Sequence, residues 1–228
     1  MISDSRRGAL IVLEGAEGVG KTTQIRHLCA RLERHGVPTL AVREPGGTPV
    51  GDEIRRLLLD VDHPLDPRAE ALLFMASRAQ LVADVVRPAV ERGTVVVADR
   101  FFLSTYAYQV GGRGLPLRDV AAANAVATAG MVPALTLLLT LPVDEGLRRM
   151  RARSGPDRIE NADRAFHERV TAAFAEYATA GWQATHPETG PIVTINGSGS
   201  ESTVAELIWT ACSSCLGETL RFPPTSNS

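Results

Sequence analysis

Residues Leu13 to Gln24 read LEGAEGVGKTTQ, which places Gly15, Gly20, Lys21 and Thr22 in the spacing G-x-x-x-x-G-K-[ST]. That spacing is a phosphate-binding loop only if a strand precedes it and a helix follows. Both flanks comply. Ala9 to Leu13 is an apolar run of strand length, and Thr22 to His35 carries Ile25, Leu28, Cys29 and Leu32 at helical spacing. Glycines let successive backbone N–H groups turn inward around phosphate oxygens, and the helix N-terminus adds partial positive charge. Lys21 is the only lysine among the 24 Lys and Arg residues of the chain. A composition that uses arginine everywhere else keeps here the compact ammonium, which fits a slot too narrow for a planar guanidinium. Lys21 is expected to face solvent and ligand, reaching the β- and γ-phosphates, with the Thr22 hydroxyl as a Mg²⁺ ligand.

The 228 residues suffice for one sizeable domain, and a net charge of −2 gives no support to a nucleic-acid-binding surface. Three cysteines, Cys29, Cys212 and Cys215, do not make a disulfide framework. Cys212-Ser-Ser-Cys215 has redox spacing but lies far from any βαβ opening, and reads as two small residues on a terminal helix. The histidines have no metal-ligand spacing, Met1 to Gly8 is too short and polar for a signal peptide, and no apolar run reaches membrane-spanning length. The expectation is a soluble cytoplasmic protein with no membrane or nucleic-acid partner.

Strand-like runs recur at Leu10–Leu13, Thr39–Val42, Thr94–Ala98, Leu135–Leu141 and Ile192–Ile195. Helical stretches separate them: Arg68–Glu91, Leu117–Ala129, Asp144–Arg151 and about Ala165–Ala180, with Ser202–Leu216 closing the chain. Apolar strands without polar alternation, divided by helices, predict an α/β fold with a parallel sheet covered on both faces. Ligands of such sheets bind beyond the carboxyl ends of the strands. The first strand ends in the phosphate loop, the second in Arg43-Glu-Pro-Gly-Gly-Thr48, the third in Asp99-Arg100. The segment LRRMRARSGPDRIE places Arg148, Arg149, Arg151, Arg153 and Arg158 around a Ser154-Gly155-Pro156 break. A solvated helix face is the common fate of such a run, but the break suits a hinged lid that excludes water from a phosphoryl transfer. A GTPase base-reading motif of the N-K-x-D type is excluded, since the single lysine is already in the loop.

In combination and in this order, LEGAEGVGKTTQ, REPGGTPVGDEIRRLLL, ALLFMASRAQL, ADRFFLSTYAYQ and RARSGPDRIE resemble bacterial thymidylate kinases, over about residues 9 to 210. The resemblance implies a five-stranded parallel sheet of the P-loop nucleoside monophosphate kinase type, spanning 9–216, with a lid at about 149–160, a short lead at 1–8 and a flexible tail at 217–228. It implies the reaction ATP + dTMP → ADP + dTDP with Mg²⁺, and a homodimer. ATP would lie on Gly15, Ala16, Glu17, Gly18, Val19, Gly20, Lys21, Thr22 and Thr23, with Arg149 and Arg151 from the lid. By the same resemblance Phe74 stacks on thymine and Arg78 bonds its carbonyl edge; these two share a helix face. Thr105 and Gln109 take the other polar edge, and Tyr108 crowds the 2′ position of the sugar. Arg55 and Arg100 hold the dTMP phosphate, Asp99 sits near Mg²⁺ and that phosphate, and Glu44 orients its neighbours. Glu17, an acidic residue in the loop, matches members whose basic lids supply transition-state charge, a role assigned to Arg153. Phe101, Thr140, Thr171 and Asn196 depart from the family pattern, which leaves open a kinase for another or modified pyrimidine deoxynucleotide. A P-loop ATPase switch acting on a protein partner is the alternative from a different class.

Overall fold

In the computed structural model, residues 8–62, 64–152 and 157–220 are described, the last three without their side chains. Five strands form one parallel sheet: β1 Ala9–Glu14, β2 Thr39–Arg43, β3 Val95–Asp99, β4 Leu135–Thr140 and β5 Ile192–Asn196, in the order β2-β3-β1-β4-β5. The central strand β1 pairs with β3 through Ala9↔Val95 to Leu13↔Asp99 and with β4 through Ile11↔Leu135 to Glu14↔Leu138. Because successive side chains point to opposite faces, β1 feeds two cores. Leu10 and Val12 join the layer that includes Phe101, Tyr106 and Phe174, while Ile11 and Leu13 join Leu28, Leu32, Ile208 and Trp209 on the other side. Burial on both faces explains why the strands read as uninterrupted apolar runs.

The helices are α1 Lys21–Arg34, α2 Pro49–Leu59, α3 Pro67–Leu81, α4 Arg87–Glu91, α5 Phe102–Thr105, α6 Leu117–Thr128, α7 Val143–Arg151, α8 Arg164–Tyr177, α9 Ala180–Thr185 and α10 Glu201–Leu220. The helical course expected for Arg68–Glu91 is present but widens to a π-turn at Val82–Val86. Pro88 cannot donate to the carbonyl one turn earlier, and an i→i+5 turn relieves the clash. Helix α2 lay inside a Pro/Gly-rich stretch. Its signal was the start: Thr48 accepts from Gly51 N at 3.0 Å, and Pro49 takes the first turn, where no N–H is needed. The helix expected to run to Ala180 ends at Tyr177, and Thr179 caps a separate α9. α10 continues through Leu220, into the expected tail, whose remaining residues lie outside the described ones together with most of the lead. Cys212 is fully buried on α10 and burial pushes its thiol up to about 12, whereas Cys215 is exposed. Both are free thiols on one helix.

Candidate active site

The carboxyl ends of β1, β2 and β3 open into a cleft of about 660 Å³, within the range of small-ligand sites. Its wall includes Glu17, Gly18, Val19, Gly20, Lys21 and Thr22 from the loop, Arg43, Glu44 and Arg55 near β2, and Asp99 and Arg100 after β3. Its far end holds Phe74, Thr105, Tyr108 and Gln109. Gly15, Ala16 and Thr23 belong to the loop but do not line the cleft.

The loop is shaped by close backbone approaches. Gly15 has φ 134°, and a Cβ there would lie 2.3 Å from the Leu139 carbonyl oxygen. Gly18, which the motif does not specify, has φ 74° and packs against α7, where a Cβ would sit 2.2 Å from the Gly146 oxygen. Only glycine satisfies both. Lys21 is 8% exposed, contrary to the expectation that it faces solvent. It is buried against loop backbone, its Nζ donating to Gly15 O at 3.0 Å and Ala16 O at 3.2 Å. Burial and the neighbouring Arg100 charge bring its pKa down to about 8, against the opposing pull of Glu17 and Asp99. Thr22 Oγ1 donates to Asp99 Oδ2 at 3.1 Å, so the two proposed Mg²⁺ ligands, 77 residues apart, meet.

Arg100 follows β3 with φ 70°, a left-handed conformation that is uncommon for a residue with a Cβ and typical of functional turns. Buried Glu14 at the end of β1 holds that turn: its carboxylate accepts from Phe101 N at 2.9 Å, Ser104 N at 3.0 Å and Ser104 Oγ at 2.5 Å. The Arg100 guanidinium donates to Gly15 O at 2.9 Å and Glu17 Oε1 at 2.5 Å, and lies over the Tyr108 ring at 4.9 Å. Tyr108 donates its hydroxyl to the same Glu17 oxygen at 2.8 Å. Burial would raise the Glu17 carboxyl, but Arg100, Lys21 and the Tyr108 bond bring it down to about 2. Glu17 thus ties the loop to Arg100 and Tyr108.

At the far end, α5 runs into a π-helical segment, Tyr106–Gly112, which carries Tyr108 and Gln109. Such widened turns are frequent at functional sites. Phe74 is half-buried on α3 and exposes its ring to the cleft. Arg78, one turn on, is 1% exposed and does not line the cleft. Its Nε and Nη2 donate to Glu44 Oε2 at 2.7 and 2.5 Å, Nη2 also to Phe101 O at 2.8 Å, and Nη1 to Thr105 Oγ1 at 2.8 Å and to Asn124 Oδ1. All five guanidinium donors are therefore engaged within the protein. The side chain expected to read a base edge directly stands behind the wall, orienting Glu44 and Thr105.

The thymidylate kinase family model matches residues 13–193. The chain belongs to the thymidylate kinase family. A protein named thymidylate kinase from Deinococcus radiodurans is 44% identical over 207 residues, covering 91% of this chain and 97% of its own. Those of Syntrophotalea carbinolica and a Synechococcus species are 44% and 47% identical, covering 90% and 87% of this chain and 95% and 91% of theirs.

Within this thymidylate kinase frame, none of the described arginines expected to form a lid lines the cleft. Arg149 pairs with Glu145 at 2.5 Å and Arg151 is exposed beside a separate cavity between α7 and α8; neither lines the cleft. Arg153 lies outside the described residues. Arg158 turns away from the loop, toward Leu58 O at 2.9 Å and Glu70 Oε2 at 2.8 Å. The four departures from the family pattern leave the cleft wall intact. Phe101 is buried under Arg78, Thr140 bonds Ile195 O, Asn196 caps Ser198 N and Thr171 lies behind the loop. The sequence reading missed Glu14, Glu70 and Asn124, buried polar partners of site residues, and Arg43, which lines the cleft at the end of β2.

Proposed function

We propose that the chain transfers the γ-phosphoryl group of ATP to the phosphate of dTMP, giving ADP and dTDP. One observation carries the reading: a single cleft joins a phosphate loop with a buried lysine to a far end bearing Phe74, Thr105, Tyr108 and Gln109. A switch ATPase has no use for that far end. Lys21 exchanges two neutral carbonyls for anionic phosphate oxygens, a stronger acceptor set. Arg100 and Arg55, with Arg43, offer cations to the acceptor phosphate, and Glu17 gives up part of its hold on Arg100 to that phosphate. The acceptor is already anionic, so positioned charge rather than a general base lowers the barrier. The Thr22 hydroxyl and Asp99 carboxylate, hard oxygen donors side by side in the cleft, fit Mg²⁺ and would hold it. When bound, that ion neutralises charge on the phosphates. Arg153, with Arg149 and Arg151, is assigned to the lid that closes over the transfer and excludes water.

The same reading makes the protein a cytoplasmic homodimer; no helix of the described residues is long and apolar enough to cross a membrane. Supporting the dimer, α2, α3 and α6 pack side by side and each exposes an apolar side chain, Leu57, Leu72 and Val126. Light scattering of the purified chain checks it, and a monomer at micromolar concentration counts against it. The activity is tested by a panel of nucleoside monophosphates with ATP and Mg²⁺, reading ADP. dTMP is expected to be the preferred acceptor. Hydrolysis indifferent to any acceptor would support the switch instead.

A further inference from the structure

We propose that Glu70 sets which pyrimidine edge the cleft accepts, by locking the side-chain amide of Gln109 with its oxygen toward the base. The inference rests on the dTMP kinase reading above and goes beyond it to a positioning residue that touches no substrate.

Glu70 sits in the first turn of α3 and is 1% exposed. Its carboxylate collects four N–H donors. Gln109 Nε2 reaches Oε1 at 3.0 Å, Arg113 Nε and Nη2 reach Oε1 and Oε2 at 3.1 and 3.0 Å, and Arg158 Nη1 lies 2.8 Å from Oε2. Burial alone would raise its pKa, but Arg113, Gln109 and Arg158 together hold it below the ordinary carboxylate range. An ionised carboxylate only accepts hydrogen bonds. The atom of Gln109 that meets it must therefore be the NH₂ group, and the usual ambiguity of an amide's orientation is removed by chemistry.

Gln109 lines the cleft, and with Nε2 taken by Glu70 its Oε1 is left without a hydrogen-bond partner among the described residues. A fixed acceptor thus faces the far end of the cleft. Arg78 cannot substitute for it, because a guanidinium carries donors only. Thymine and uracil carry an N–H donor at ring position 3, whereas cytosine carries a lone pair there. A fixed amide oxygen bonds the first two and sets lone pair against lone pair with the third. A free amide would rotate and accept either ring, so the discrimination depends on Glu70.

The test compares kcat/KM for dTMP, dUMP and dCMP in the wild type, Glu70→Gln, Gln109→Leu and the double variant, with ATP as donor and thermal melts alongside. Glu70→Gln keeps the shape of the side chain but can present either a donor or an acceptor. It is expected to lower the dTMP/dCMP ratio by about tenfold or more, because a buried polar group then no longer fixes its partner. The dTMP/dUMP ratio should stay within about threefold and the KM for ATP within about twofold, since both rings share the N–H and the donor end is remote. On the Gln109→Leu background, Glu70→Gln should add less than about twofold, because the two act as one unit. An unchanged dTMP/dCMP ratio in either single variant overturns the inference, as does a Glu70→Gln effect that persists without Gln109. If Glu70→Gln does not fold, Glu70→Asp, whose shorter carboxylate draws back from Gln109, takes its place: a lowered ratio supports the inference and a retained one overturns it. A wild type that ignores dTMP sinks the functional reading itself, a different outcome from a selective wild type with unmoved variants.

Discussion

The two ends of the cleft are built from different materials. The phosphate end is made of main chain from one short stretch, Gly15 to Thr22, with one ammonium folded onto its own loop at a separation of 5 and 6 residues. The far end, proposed above to take the base, is a lattice of buried charge drawn from distant segments. Arg78 reaches Glu44 across 34 residues, Thr105 across 27 and Asn124 across 46, and Glu70 reaches Gln109 across 39. A phosphate can be held by backbone N–H groups, which every residue supplies, so that end needs only glycines and one cation. A base edge must be read by oriented side chains, and each of those needs a partner out of water. Damage should therefore differ in kind: chemistry is lost at one end, and the fold at the other.

The largest expected effect follows from that difference. Arg78→Leu leaves Glu44 buried without its cation, which should cost about 3–5 kcal/mol of stability. For a chain of this size that lowers Tm by roughly 10 °C. Differential scanning calorimetry decides it. A normal Tm with a raised KM for dTMP would mean that Arg78 is a surface contact to the base and that the contrast between the ends is wrong. Next comes Lys21→Ala, expected to lower kcat about 10²- to 10³-fold, the scale of losing one preorganised charge at a transferring group. Its Tm should not fall, because burial already disfavours the ammonium and holds its pKa down to about 8. Equal loss of stability in the two variants would erase the distinction.

The same contrast explains what could be read from the sequence. The loop, its strand and its helix were legible because motif and context are contiguous, from Ala9 to His35. The sheet was legible because buried strands are uniformly apolar, and its five runs fall within two residues of the observed ends. Glu14 was invisible: a carboxylate ending an apolar strand looks like the polar start of a loop. It is instead the anchor of the Arg100 turn, through Ser104 at a separation of 90 residues. Arg78 was assigned to the base by family resemblance, and spacing added only that it shares a helix face with Phe74. Spacing does not say that five hydrogen bonds to four other residues close around its guanidinium. Arg158 read as one more lid cation, yet it belongs to Glu70. Long-range charge partners leave no periodic trace.

Glu17 sharpens the comparison because it touches both ends. Its carboxyl lies at about 2 in the fold against an ordinary 4.5. A depressed carboxylate contributes stability that is present above 4.5 and lost as pH falls toward about 2, here roughly 3 kcal/mol. Urea unfolding across that window should show a shallower loss for Glu17→Gln than for the wild type. Parallel curves would mean that Arg100 and Tyr108 gain nothing from the charge.

The smallest effect tests whether the base end is a recognition surface at all. Phe74 is half-buried: it packs against the core that includes Met75 and Leu81, and it also lines the cleft. A purely structural phenylalanine and a stacking one predict different patterns on truncation. Loss of stacking on a base costs roughly 1–3 kcal/mol, so Phe74→Ala should raise the KM for dTMP about 10- to 100-fold. The KM for ATP should barely move, because the loop is held by its own backbone and not by α3. Some stability is lost as well, but less than for Arg78→Leu, since a half-exposed ring leaves no buried charge behind. Steady-state kinetics in both substrates, with melts, separates the cases. Parallel increases in the two KM values, tracking a lower Tm, would make Phe74 a core residue whose removal loosens the whole cleft. A rise confined to dTMP places the pyrimidine ring on Phe74, beside the amide that Glu70 holds in place.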